Sequence, residues 1–413
     1  MDKKTISIIL AYVGVLTGAG LASGQEIMQY FISFGKDGLY GLVGIGALHI
    51  FVGGIVLQLG SHFVAQSHID VLEEVSEKFV TKFMDFALIL NCFLMGFVMI
   101  AGAGSNLEQQ FGLAPWIGSL ICTLLIIVVG MMDFEKVTKV IGFFTPLVLV
   151  FTLIGAIYTI VKANPDFEAL DVLGKSMGSS LPNIAVSTIN YFGLCMISSI
   201  SMAFVLGGSR TDSSQARAGG MLGGGLVAIL TALVGLTLFF ALNDVKDADI
   251  PMQIILNNVH PYMGLAMSLI IFGMIFNTAI SLFYSAAKRL SLTEEKFKRN
   301  LVIFTLLGFA LSFMGFKKLM ALLYPILGFL GLILIIILIV AWFKERDAIK
   351  SENKKRDQMS DLTRKKLDDD EDFGKKDREK LNKLAEASII ENDKIKEAVE
   401  EEVEEELEEE KDN

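Results

Sequence analysis

Glu26 lies inside the first hydrophobic stretch of the chain, in the run Thr17-Gly18-Ala19-Gly20-Leu21-Ala22-Ser23-Gly24-Gln25-Glu26. No other acid sits as deep within an apolar stretch. A carboxylate near the centre of a bilayer costs about 2.5–3.5 kcal/mol on insertion scales, so it is kept where it meets a cavity, a proton or a partner. Gly14, Gly18, Gly20 and Gly24 loosen the helix around it, and unwound backbone at that depth is tolerated only where protein or a water-filled pocket satisfies it. An acid, the hydroxyls of Thr17 and Ser23 and freed backbone groups within a turn or two make a mid-membrane binding site. There the carboxyl can pair with an amine on a solute, or carry a proton loaded on one side and released on the other. The structural alternative is an acid that accepts hydrogen bonds from backbone donors freed by the break.

The elements that must hold this site are hydrophobic spans. The chain has 413 residues, 53% of them apolar, and windows of about 20 residues give ten: about 5–34, 39–60, 83–104, 112–132, 137–161, 183–207, 216–242, 262–287, 299–315 and 319–343. The first is longer than it needs to be. As one helix its 30 residues would reach about 45 Å across a core of about 30 Å, so a break or strong tilt is expected. Span six repeats the pattern with Ser187-Thr188-Ile189-Asn190-Tyr191-Phe192-Gly193-Leu194-Cys195, a polar cluster and a glycine near mid-depth. Five spans separate the two, so the second half starts in the opposite orientation. Paired interruptions in corresponding spans of inverted halves are the sequence mark of a secondary-transporter site.

An all-α polytopic membrane protein is therefore expected, a 5+5 inverted repeat of ten helices with helices one and six discontinuous. The repeats cover about 1–162 and 176–343, within a transporter domain of 1–343. Lys and Arg number thirteen in the loops on the side of the N-terminus and six on the other, which places both termini in the cytoplasm. No cleavable signal peptide is expected. Residues 1–343 carry a net charge of −1 and residues 344–413 one of −9. The acidity therefore belongs to the tail, which reads as disordered or as a solvated helix with i,i+4 charge pairs. Ile395, Val399, Val403 and Leu407 recur every four residues along it and could mark a docking face for a cytoplasmic partner. On this reading truncation after residue 345 leaves transport intact.

Other polar residues have plainer readings. Cys92, Cys122 and Cys195 lie in separate apolar runs and read as buried small hydrophobes. His62 and His68 flank a loop and read as solvated. The four histidines, with His49 and His260, have no metal-ligand spacing. Asn91 and Asn277 read as interhelical hydrogen-bonding amides, and Asp85 as an acid at a helix N-terminus. Thr278, Ser281 and Tyr284 continue the face of Asn277 at helical spacing, so one polar stripe runs along span eight. Gly219, Gly220, Gly223 and Gly224 read as a close-packing face. Ile250-Pro251-Met252-Gln253-Ile254-Ile255-Leu256, in the long loop 243–261, reads as a short re-entrant or interfacial helix, either a lid or a plain connection.

These features resemble the amino acid–polyamine–organocation superfamily with the leucine-transporter (LeuT) fold. Gly18 to Ile27 most resemble the YkvI-like bacterial membrane proteins within it, over roughly residues 1–343. The resemblance implies that Gly14, Thr17, Asn277 and Thr278 are candidate ligands for a sodium ion between spans one and eight. Asn277 departs there from the usual Thr or Ser. It also implies that Leu16, Ala19 and Gly20 line the substrate, with Asn190, Tyr191 and Gly193 opposite, joined by Ser23 and Glu26 from the residues' own chemistry. Leu21 replaces the asparagine ligand of a second sodium, and Gly24 the outer-gate arginine, so neither feature is expected. Ser281 extends the ion-coupling face. Lys139 stands where some proton-coupled relatives use a lysine in place of the ion, although snorkelling to the interface accounts for it more simply.

The function expected is secondary active transport of an amino acid or amine, coupled to sodium or protons, in the bacterial plasma membrane. The partners expected are a small solute and the lipid bilayer, and not nucleic acid. No ATP-binding GxxxxGK[ST] loop is present, and no enzyme activity is expected. A ligand sensor on a transporter scaffold is the second reading, and a membrane anchor acting through its acidic tail is the third.

Overall fold

The computed structural model describes residues 3–132, 144–368 and 373–411. Lys139 lies outside them. The chain begins with helix α1 (Lys3–Leu16), which stops at Thr17 and Gly18 and restarts as α2 (Ala19–Ser23) and α3 (Gln25–Tyr30). Between the last two, Gly24 takes φ +79°, a left-handed conformation that costs a residue without a Cβ little. The first hydrophobic stretch is thus broken twice, where the glycines loosen it. A 3-10 turn (Ile32–Phe34) then leads to α4 (Lys36–His62), α5 (His68–Val75), α6 (Lys78–Phe111), α7 (Pro115–Gly130) and α8 (Phe144–Lys162). Next come α9 (Phe167–Ser176), α10 (Ile184–Gly208), α11 (Ser213–Phe240), α12 (Leu242–Val245), α13 (Pro251–Val259), α14 (Pro261–Arg289) and α15 (Glu294–Ser312). The last are α16 (Phe316–Leu367), α17 (Lys375–Glu386) and α18 (Asn392–Lys411).

Among the described residues α4, α6, α10, α11, α14 and α16 are long and apolar enough to cross a membrane, and α1, α7 and α8 contain shorter apolar helices. The chain is a multi-pass, all-helical membrane protein. α4 packs most extensively on α11, and α6 on α14. Small residues let the first pair meet backbone to backbone: a Cβ on Gly220 would stand 2.3 Å from the Gly53 carbonyl oxygen, and one on Gly224 2.3 Å from that of His49. The glycine-rich face expected on this helix is a packing face.

Three expectations are corrected. The sixth hydrophobic stretch is not broken: α10 runs unbroken through Asn190, Tyr191 and Gly193. Its polar side chains bond to other helices and leave its own backbone ladder intact, and Gly193 makes room for α16, since a Cβ there would lie 2.1 Å from the Gly328 carbonyl oxygen. His62 and His68 are both buried, not solvated. The tail, finally, is folded. α16 continues 24 residues past Phe343 to Leu367, and the apolar face of α18 is covered: Ile395, Val399 and Val403 join Val64, Met359 and Ala385 in a second hydrophobic cluster. Composition registers the charges of this segment, but a four-residue apolar stripe is enough to bury one face once a partner surface exists.

The loop 243–261 forms α13, with Pro251 in its first turn as proline's fixed φ favours. Gln109 and Gln110 at the end of α6 bond Gln253, both at 2.7 Å, and Gln109 also bonds the Ile250 carbonyl at 2.9 Å. α13 also packs against α2 and α14.

Candidate functional site

The double break turns α3 so that Glu26, in its first turn, is buried, only 8% exposed. The Tyr191 hydroxyl donates to Glu26 Oε2 at 3.1 Å. The carboxyl lies on the bare Cα of Gly20, where a Cβ would be 1.7 Å from Oε1. Tyr324 of α16 brings a second buried phenol to the same carboxyl, its hydroxyl outside hydrogen-bonding geometry. Around this centre the Tyr30 and Tyr191 rings stand 4.9 Å apart and Phe31 meets Tyr191 edge-on at 5.4 Å. The Tyr30 hydroxyl donates to Asn190 Oδ1 at 3.1 Å, and Asn190 Nδ2 to the Pro325 carbonyl at 2.8 Å. The Ser187 hydroxyl donates to the Tyr30 carbonyl at 2.6 Å. The broken segment is therefore sewn to α10 and α16 by polar contacts that leave one carboxyl facing phenols.

The break is held locally as well. The Ser23 hydroxyl donates to the Gly20 carbonyl at 2.9 Å and accepts from the Gln25 N–H at 3.2 Å, bridging the turn at Gly24. The Thr17 hydroxyl donates to the Val13 carbonyl at 2.7 Å, capping the end of α1. These bonds satisfy groups that the break would otherwise leave unpaired in an apolar surround.

Of the residues singled out from sequence, Gly20, Ser23, Glu26, Asn190 and Tyr191 come together here, with Ala19 buried on α2 beside them. Gly193 turns away to the α10–α16 seam. Gly14 and Leu16 are half-buried near the end of α1. Asn277, Thr278 and Ser281 are half-buried on α14 and make no side-chain hydrogen bond among the described residues, and Thr17 bonds only within α1. The side chains of the sodium set are therefore not joined to one another by hydrogen bonds. Asn91 does bond across helices, accepting from Ser198 at 3.4 Å.

Sequence reasoning missed Tyr30 and Tyr324. Tyr30 follows Glu26 by four residues and so shares its helix face, a signal that was available; Tyr324 comes from the far end of the chain. It also missed a second polar cluster. His68 of α5 stands 3.3 Å from Asp85 of α6 and 2.9 Å from the Ser201 hydroxyl of α10. Arg289 of α14 reaches His68 at 3.2 Å and Asp85 at 3.4 Å. Asp85, read as a helix-end acid, thus belongs to a cluster that joins four helices.

No protein-family model matches the chain. It is 25% identical over 330 residues to the uncharacterized membrane protein YkvI of Bacillus subtilis, a match covering 79% of this chain and 92% of that one. The chain is a homologue of YkvI. Among solved structures it is similar to MhsT in complex with L-phenylalanine (TM-score 0.60, 16% identity, 97% of each chain). It is also similar to the inward-facing conformation of Mhp1 (TM-score 0.52, 14% identity, 83% of this chain and 77% of that one). The chain therefore has the fold of these structures, the LeuT fold.

Proposed function

We propose that the chain is a secondary active transporter, moving a small nitrogen-containing solute, an amino acid or an amine, by alternating access. The observation that carries this reading is the buried Glu26 carboxyl, held by Tyr191 against Gly20 in a doubly broken span. A lone carboxyl among phenols, deep in an apolar surround, is a receptor for positive charge. That charge is the amine of the solute or a coupling proton. Leu16, Ala19, Gly20, Ser23, Asn190 and Tyr191 complete the solute set, and Gly193 seats α16 behind it. If sodium is the coupling ion, its ligands come from Gly14, Thr17, Asn277 and Thr278, with Ser281 continuing that face and Lys139 the alternative cation.

The spans form two inverted halves of five, about 1–162 and 176–343. The extensive pairing of α4 with α11 and of α6 with α14, elements five spans apart on this count, supports that arrangement. Both termini lie in the cytoplasm of a bacterial cell, as the Lys and Arg asymmetry of the loops supports.

Thermal-shift screening of the purified chain against amino acids and amines, with and without sodium and at two pH values, identifies the ligand and the ion. Uptake into vesicles then tests the role of Glu26. Wild-type uptake by Glu26→Gln with an unaltered pH profile removes both functional roles from this carboxyl. Ligand binding without flux would favour the sensor reading instead.

A further inference from the structure

The folded tail meets the helix ends at one place. Ser61 and His62 close α4, the loop 63–67 follows, and beside it lies the α10–α11 turn with Arg210 and Thr211. The Ser61 hydroxyl donates to the Arg210 carbonyl at 2.7 Å. From below, Arg356 of α16 donates to the Ser61 carbonyl at 2.8 Å, the His62 carbonyl at 2.7 Å and the Thr211 carbonyl at 3.3 Å. Glu402 of α18 then docks from the side: its carboxylate pairs with Arg210 at 3.0 Å, accepts from the Thr211 N–H at 2.7 Å and bonds the Thr211 hydroxyl. Arg210 and Glu402 are both buried, their side chains 1% and 8% exposed. Flanking pairs Lys366–Glu400 (2.6 Å) and Arg364–Glu406 (3.0 Å) hold α18 along α16.

The loop under this contact is strained. Val64 takes φ +45°, the only positive φ at a non-glycine among the described residues. A β-branched side chain is an outlier there, and such backbone persists only where its surroundings over-determine it. Those surroundings include the tail: Val64 belongs to the apolar cluster of Met359, Ile395, Val399 and Val403. Four residues on, α5 begins at His68, the centre of the cluster with Asp85, Ser201 and Arg289.

We propose that the face formed by Val64, Arg210 and Thr211 is a receptor for the acidic amphipathic helix of residues 392–411, and that its occupancy holds α5 and the His68 cluster in place. Docking keeps Val64 in its left-handed turn; undocking lets the loop relax and loosens α5 from α6, α10 and α14. The tail is then a built-in strap on α5 and the loop before it, a role that does not depend on which solute, if any, is carried.

The test compares the full-length chain with a full-length variant carrying Ile395→Asp and Val399→Asp, changes confined to the docking face of α18. Two readouts are needed: protease sensitivity of residues 373–411, and hydrogen exchange of the α5 amides, 68–75. The variant is expected to expose the tail to protease and to speed α5 exchange severalfold. A synthetic peptide of residues 392–411 added in excess should slow that exchange again, and Glu402→Gln alone should fall between the two chains. A tail still protease-resistant in the double variant overturns the docking. A released tail with α5 exchange unchanged overturns the coupling to the His68 cluster.

Discussion

The carboxyl of Glu26 occupies the space that a side chain on Gly20 would need. A Cβ there would stand 1.7 Å from Oε1 and 2.4 Å from Oε2. Two residues of one short segment, six apart in sequence, have thus been folded into contact by the break between them, and the acid is aimed inward as a result.

Gly20→Ala should therefore displace the acid. Overpacking at such a site costs about 1–3 kcal/mol, and the moved carboxyl should abolish solute-dependent stabilisation and uptake. Gly18→Ala is the control, since nothing lies within 4 Å of the position its Cβ would take. It should fold, bind and transport at close to wild-type levels. Equal behaviour of the two variants in thermal-shift and uptake measurements would mean that Glu26 does not rest on Gly20.

The two phenols near Glu26 should respond differently. Tyr191→Phe removes the donor to Oε2 and leaves a buried acceptor unpaired, at a cost of about 1–3 kcal/mol. Tyr324→Phe removes a hydroxyl that meets Glu26 in poorer geometry than Tyr191 does and should change stability by less. Chemical or thermal denaturation in detergent ranks them, and a greater loss from Tyr324→Phe would contradict the geometry.

His68 gives the tail-side helix ends a pH dependence. Burial, then the guanidinium of Arg289, holds this histidine below its usual value, against the pull of Asp85. A lowered value means that the folded chain prefers the neutral ring. The resulting stability is present above about pH 6.5, the ordinary histidine value, and is lost as pH falls through the lowered one. Melting temperature should thus fall on acidification below about pH 6.5, and His68→Gln should flatten that limb. An identical acid limb in the variant would assign the effect elsewhere.

Arg356 should matter more than its place in a charged tail implies. Arg356→Met keeps an apolar stem but leaves the Ser61, His62 and Thr211 carbonyls without their donor, at about 1–3 kcal/mol for each group that stays covered. Truncation after residue 345, harmless on a sequence reading, should likewise lower melting temperature and yield. Full stability of the truncated chain would show that these bonds contribute nothing net.

Much of this was legible without coordinates. The glycines and the excess length of the first hydrophobic stretch demanded a break, and the break is there, at Thr17–Gly18 and again at Gly24. The same reasoning failed for Asn190–Gly193, because a polar cluster with a glycine looks alike whether it interrupts a helix or seats another one. Asp85 and His68 were read one at a time, as a helix-end acid and a solvated ring. Their partnership with Ser201 and Arg289 joins residues up to 221 positions apart, and no local pattern records it.

Sequence by itself determined the apolar spans, the break in the first of them and the single deep acid, since hydrophobicity, glycine and charge act within a few residues of where they stand. Tertiary structure alone decided which phenols face Glu26, that α10 stays whole, and that an acidic tail is folded against the helix ends. Each of those depends on a surface brought from far along the chain: the Gly328 backbone for Gly193, the Arg210–Thr211 turn for Glu402. A side chain's environment is set by what packs against it, and that partner is chosen only when the helices meet.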